Sequence, residues 1–206
     1  MNYLAHLYLS GEDEKVITGN FIGDYVKGQN YLNYPGKIRE GIILHRRIDT
    51  FTDQHPCFRE VKILLRSDFG LYSGIIADLF YDYLLASNWE NYAPESLRNF
   101  SKRMHAILLA HFFYLPPRVQ GFLPVLIKNR RLESYARTEG IRQSLKIMSR
   151  YTTLPDNAHQ AMKILDSHIT FLKDNFAVFM KEITGYVENE FGIRIIKPGL
   201  VSGQSD

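Results

Sequence analysis

Apolar side chains recur along this chain at three- and four-residue intervals, which is the period of an α-helix. Strand signals are scarce, because alternating runs are few and no Asn-Gly or Asp-Gly dipeptide is present to close a hairpin. This pattern predicts an all-α fold. We expect a single-domain helical bundle over residues 1–197, followed by a disordered C-terminal tail over residues 198–206.

Prolines, glycines and capping residues divide the helical pattern into segments. We predict helices over residues 2–9, 14–26, 35–51, 56–67, 73–89, 94–116, 138–151 and 155–191. The stretch 117–137 is expected to be less regular, because Gly121 and Pro124 interrupt it.

The composition excludes several classes of protein. A net charge of +3 over 206 residues is too low for a dedicated nucleic-acid binder. Cys57 is the single cysteine, so no disulfide can form within the chain, which is typical of a reducing compartment. The chain opens without the cationic leader of a secretory signal, and its longest apolar run, residues 106–115, is too short to cross a bilayer. We therefore expect a cytoplasmic protein that does not insert into a membrane.

Two predicted helices carry pairs of polar residues among apolar neighbours. His45 and Asp49 are four residues apart and therefore share one helix face, in a segment rich in isoleucine. Asp78 and Asp82 have the same spacing within a segment that is apolar nearly all round. Two carboxylates on one face repel each other, so a buried pair needs a shared proton, a cation or a metal ion.

The same four-residue spacing recurs at Asn20 and Asp24, and at Asn2 and His6. Imidazole together with several carboxylates is a ligand set for Mn²⁺, Fe or Zn²⁺, and the excess of carboxylates favours Mn²⁺, Mg²⁺ or Fe. Such an ion would polarise a phosphoryl oxygen and lower the pKa of a water molecule that serves as the nucleophile. Arg46 or Arg47 could then hold the phosphate oxygens.

Each pair also has a simpler interpretation. His45 and Asp49 could be a hydrogen-bonded pair on a helix surface, and His6 could be a core histidine with its hydrogen bonds satisfied. Taken together, the pairs could form buried salt-bridge networks in a helical binding protein without catalytic activity. That protein would retain no metal, and chelation would leave its stability unchanged.

Four blocks in the first ninety residues resemble the acyl carrier protein phosphodiesterases, also called acyl carrier protein hydrolyases. The blocks are MNYLAHLYLS, GNFIGDYVKG, GIILHRRIDTFTDQHP and ADLFYDYLLASNW. The resemblance implies a helical fold related to the HD phosphohydrolases. It also implies a Mn²⁺-dependent reaction in which water removes 4′-phosphopantetheine from holo acyl carrier protein. Two features depart from these families: the chain has no adjacent His-Asp pair, and Tyr83 stands where a histidine is expected.

The resemblance and the residue pattern together give a set of expected site residues. The expected catalytic residues are Asp24, His45, Arg46 and Asp49. The expected metal ligands are Asp24, His45, Asp49, Asp78 and Asp82. Residues expected to support these ligands or contact the substrate are His6, Asn20, Arg47, Asp53, Tyr81 and Trp89, the last two as walls of a groove for the pantetheine arm.

We therefore expect residues 1–197 to be a metallo-hydrolase that acts on acyl carrier protein, with the oligomeric state left open. The alternative enzyme is a metal phosphohydrolase of nucleotides or other small phosphoesters on the same HD-like scaffold. Activity on free phosphoesters, without a carrier protein, would distinguish the alternative from the expected enzyme.

Overall fold

The computed structural model describes residues 2–199, and within them the chain forms helices and no strands, which confirms the all-α prediction. The first half contains five α-helices, with a short 3-10 helix, Gly23–Tyr25, directly after the second. These are α1 (Tyr3–Tyr8), α2 (Glu14–Ile22), α3 (Gly36–Gln54), α4 (Pro56–Phe69) and α5 (Ser73–Ser87). None of the described helices is both long and apolar enough to span a membrane.

The second half contains six further α-helices. These are α6 (Leu97–Ala110), α7 (Pro117–Lys128), α8 (Arg131–Ser134), α9 (Thr138–Tyr151), α10 (Ala158–Ser167) and α11 (Ile169–Phe191). The predicted tail, residues 198–206, lies outside the described residues except for 198 and 199.

The structure corrects two predictions in this half. The stretch expected to be irregular contains α7, which includes Pro124 and buries Val119, Leu123 and Leu126. These three residues are spaced for one helix face, and their burial outweighs the one backbone hydrogen bond that the proline removes. The predicted last helix is two helices, because the chain leaves helical geometry at His168, with φ −118° and ψ 19°.

Helices α2 and α3 pack so closely that their backbones touch. A Cβ atom at Gly19 would lie 2.0 Å from the carbonyl oxygen of Ile38, and one at Gly41 would lie 2.2 Å from that of Val16. Only glycine fits at both positions, since the space for a side chain is filled by the backbone of the other helix. This contact sets the distance between the helix that carries Asn20 and the helix that carries His45.

Bulky aromatic side chains fill the core between α4, α5 and α11. The ring of Tyr81 lies 5.5 Å from that of Phe58, 5.0 Å from Phe176 and 4.9 Å from Phe179, measured between centroids. All four side chains are buried. Aromatic rings at these separations add favourable edge contacts to the burial of apolar area. The cluster therefore anchors the C-terminal helix against the helices of the first half.

Candidate metal centre

Helices α1 and α3 bring two histidines and one aspartate together. His6 Nε2 lies 3.1 Å from Asp49 Oδ1, and His45 Nε2 lies 3.1 Å from Asp49 Oδ2. The two imidazole rings stack with their centroids 4.0 Å apart. One potential ligand atom from each residue lies within 4.8 Å of the other two, so we call His6, His45 and Asp49 the triad. The four-residue spacing in α3 places His45 beside Asp49, as predicted, whereas His6 comes from a separate helix.

Asn20 in α2 orients both histidine rings. Its side-chain Nδ2 donates to the carbonyl oxygen of His6 at 2.9 Å and to Ser10 Oγ at 2.8 Å. Asn20 Oδ1 is thereby left as an acceptor for His6 Nδ1 at 2.9 Å, and the Asn20 carbonyl accepts from His45 Nδ1 at 2.8 Å. A ring that donates through Nδ1 presents the lone pair of Nε2 to a metal ion. Asn20 thus turns Nε2 of both rings toward Asp49.

Asp24 adds a carboxylate at the solvent edge of the triad. It lies in the 3-10 helix after α2, with Oδ1 3.4 Å from His45 Nε2 and with 63% of its side chain exposed. The preceding residue must be small, because a Cβ at Gly23 would lie 2.2 Å from His45 Cγ. The turn that presents Asp24 therefore also makes room for the His45 ring.

The two histidines have opposite protonation behaviour. Burial, together with the charge of His45, lowers the pKa of His6 to about 4. Burial opposes protonation of His45 too, but the adjacent carboxylates of Asp24 and Asp49 outweigh it and raise its pKa to about 9. Burial would also raise the pKa of Asp49, but the two histidines hold it well below its usual range. The centre thus favours a positive charge beside an ionised carboxylate.

Asp49 of the triad lines a cleft with a volume of about 510 Å³, whereas the two buried histidines lie behind it. The cleft is acidic: its walls include Asp24, Asp49, Asp53 and Asp78. Arg131, from α8, is the only basic residue among the described residues that line it. Asp53 also lies 3.6 Å from Lys62 Nζ, and 68% of its side chain is exposed.

Asp82, a predicted metal ligand, is not part of the triad and contacts the backbone of α1 instead. Its two oxygens accept hydrogen bonds from the backbone N–H groups of Leu4, at 3.0 Å, and Ala5, at 3.2 Å. Asp82 therefore caps the N-terminus of α1. Its side chain is fully buried, and burial raises its pKa to about 7. Asp78, one turn earlier, is half-buried at the cleft wall, where burial raises its pKa as well. The two carboxylates therefore have different surroundings and do not belong to one ligand set in this structure.

Replacing Asp82 with asparagine is expected to destabilise the protein by about 1–3 kcal/mol. An amide offers one acceptor oxygen and one NH₂ group, so either Leu4 or Ala5 loses the acceptor for its buried N–H. Urea denaturation measures the change in the free energy of unfolding. Asp166→Asn, on the exposed face of α10, serves as the control and should change it by less than about 0.5 kcal/mol. Equal stability of the two variants would contradict the capping role.

Arg46, predicted to hold phosphate oxygens, is engaged elsewhere. Its Nη2 donates to the carbonyl oxygens of Val26 and Gly28, both at 2.8 Å, and its guanidinium lies 5.0 Å from the centroid of the Tyr31 ring. Arg46 thus fixes the segment between α2 and α3, and Arg47 is exposed to solvent. Arg131, which lines the cleft, was not among the predicted site residues, and its signal in the sequence was its place in a basic cluster with Lys128 and Arg130.

Tyr81 and Trp89, predicted to line a groove, are core residues in the structure. Tyr81 is fully buried and donates its hydroxyl hydrogen to Asn175 Oδ1 at 2.7 Å. Trp89 is buried and donates from Nε1 to the carbonyl oxygen of Glu95 at 2.8 Å. Neither side chain lines the cleft at the triad.

Comparison with known proteins points to a single family. The family model described as "Acyl carrier protein phosphodiesterase" matches residues 1–183. A relative of that name from Yersinia pestis is 31% identical over 180 residues, which cover 87% of this chain and 93% of the relative. Another from Enterobacter sp. (strain 638) is 29% identical over 191 residues, 92% of this chain and 99% of the relative. No solved structure matches the chain, so its relation to the HD phosphohydrolases stays a prediction.

Proposed function

Since this chain belongs to the acyl carrier protein phosphodiesterase family, we propose that it removes 4′-phosphopantetheine from holo acyl carrier protein with the aid of a divalent metal ion. The products are apo carrier protein and free 4′-phosphopantetheine. The observation that carries the proposal is the triad at the acidic cleft, with both histidine rings oriented by Asn20.

The donor set fits a divalent ion. Within the described part of the chain, His45 Nε2 is buried and makes no hydrogen bond, although two carboxylate oxygens lie 3.1 and 3.4 Å away. Two imidazole nitrogens and the carboxylate of Asp49 would hold the ion, with Asp24 as a further oxygen donor. Because nitrogen and carboxylate ligands are mixed here, we propose Mn²⁺, with Fe and Mg²⁺ as alternatives. When bound, the ion would polarise a phosphoryl oxygen and lower the pKa of the attacking water.

The residues of the chain have separate tasks in this reaction. Asn20 holds the rings of His6 and His45, so their Nε2 atoms need not reorganise when the ion binds. Asp24 is exposed in the cleft, and its pKa is lowered chiefly by the adjacent His45 side chain, so it is ionised and can accept a proton from the attacking water. Asp53 adds negative charge to the same cleft, which favours a cation there.

Mass spectrometry of holo acyl carrier protein, incubated with this chain and Mn²⁺, tests the proposal. We expect the carrier protein to lose the mass of the phosphopantetheine group and to keep it when EDTA is present. The same reaction without this chain controls for spontaneous loss. An intact holo protein beside a chain that has retained its metal would refute the substrate. A chain that binds no metal and still cleaves the carrier protein would refute the metal requirement.

A further inference from the structure

A second, apolar groove opens off the acidic cleft. It has a volume of about 220 Å³ and shares Tyr3, Arg131 and Ile147 with the cleft. Its other wall is one face of α7, formed by Phe122, Val125 and Leu126. The exposed fraction is 57% for the side chain of Val125 and 36% for that of Ile147. The groove is therefore an accessible apolar surface that continues directly from the proposed reaction site.

Arg131 lies where the groove meets the cleft. Its guanidinium is 5.8 Å from the centroid of the Tyr135 ring, and no other basic side chain lines the cleft in the described part of the chain. A phosphodiester is an anion, and the carboxylates in the cleft would repel it without a compensating cation. Arginine binds phosphate oxygens through two parallel hydrogen bonds, so Arg131 is suited to contact the phosphate at this junction.

We infer that the apolar groove binds the pantetheine arm of the substrate, with Arg131 on the phosphate from which the arm begins. This inference rests on the proposed function. The phosphorus of the substrate carries two esters, one to the carrier protein and one to pantetheine, so the site needs two separate routes away from the metal. The arm is linear and uncharged, with a dimethyl-substituted carbon and two amides. The apolar wall of α7 suits its carbons, and Asn129 at the end of that wall suits an amide.

Val125→Trp tests the inference, because an indole at this exposed position would fill the groove without entering the core. The hydrolysis of holo acyl carrier protein is measured in the presence of two inhibitors: 4′-phosphopantetheine, which carries the arm, and inorganic phosphate, which does not. We expect the ratio of their inhibition constants, 4′-phosphopantetheine over phosphate, to rise about tenfold, and kcat/KM for the carrier protein to fall by a similar factor through a higher KM. Leu109→Trp is the matched control, since Leu109 is an apolar residue of α6 with 52% of its side chain exposed and lies outside both cavities.

Three outcomes are distinguishable. A selective loss in Val125→Trp, with the Leu109→Trp ratio unchanged, supports the groove as the site of the arm. An unchanged ratio in a Val125→Trp protein that melts at the wild-type temperature overturns the inference and leaves the proposed function intact. Failure of the wild type to cleave holo carrier protein at all refutes the proposed function, and the inference with it.

Discussion

Replacing Asp49 with asparagine is expected to remove the bound metal ion and to lower the rate of carrier-protein cleavage by at least about 100-fold. Asp49 lies between the two histidines, with one oxygen 3.1 Å from each Nε2. Groups that merely orient a metal ligand contribute roughly 10–100-fold to affinity or activity, so the loss of a ligand should exceed that range. By the same reasoning, Asn20→Ala should fall within the range, because it frees the His6 ring, keeps the backbone carbonyl that orients His45 and leaves the ligands in place.

Metal content after dialysis, measured by mass spectrometry of the elements, and the cleavage rate together check this expectation. Asp166→Asn, an exposed aspartate on α10, is the control and should retain both properties. Thermal unfolding followed by circular dichroism establishes that the Asp49 variant is folded, which we expect because 38% of its side chain is exposed. A folded Asp49→Asn protein with stoichiometric metal and a rate within threefold of wild type would refute the triad as the metal site.

Gly19→Ala and Gly41→Ala are expected to destabilise the protein by about 3 kcal/mol each. Overpacking typically costs about 1–3 kcal/mol. These two variants belong at the upper end of that range, because the new methyl group meets backbone atoms, which cannot rotate away as a side chain can. The new methyl group would lie 2.0 Å from the Ile38 carbonyl oxygen in the first variant and 2.2 Å from that of Val16 in the second. Helices α2 and α3 must then move apart, which also pulls the Asn20 carbonyl away from His45.

The matched control for both variants is Gly185→Ala in α11, where an added Cβ meets no atom within 4 Å. That variant should gain about 0.5–1 kcal/mol, because alanine is the better helix former. Urea denaturation of the three variants measures the differences in the free energy of unfolding. If the Gly19 and Gly41 variants were as stable as the Gly185 variant, the close contact between α2 and α3 would be wrong.

Features that depend on neighbouring residues could be predicted from the sequence. The pairing of His45 with Asp49 follows from helical periodicity alone, because four residues complete about one turn. The predicted helical class and most helix positions rest on the same local pattern. The continuous helix near Pro124 could not be predicted in this way, since it depends on the burial of α7 against the rest of the molecule.

Features that depend on distant residues were not predictable from spacing. Asp78 and Asp82 have the same separation as His45 and Asp49, yet Asp82 binds backbone N–H groups of α1. His6 was expected only to support the ligands, but the structure places its Nε2 as close to Asp49 as that of His45. Arg46 is a residue type suited to binding phosphate, but its guanidinium donates to two backbone carbonyl oxygens. In each case a partner far along the chain decides what the side chain does.

The cap on α1 has a consequence for the order in which the molecule forms during synthesis. Asp82 accepts a hydrogen bond from the backbone N–H of Leu4, although it lies 78 positions further along the chain. Helix α1 itself is only six residues long. A helix of that length is not stable alone, and it remains without this cap until α5 has been made and has docked. Helices α2 and α3 are close in sequence and can pair earlier. A nascent chain that still lacks α5 can therefore pair α2 with α3 while the backbone N–H groups of Leu4 and Ala5 still lack their acceptor.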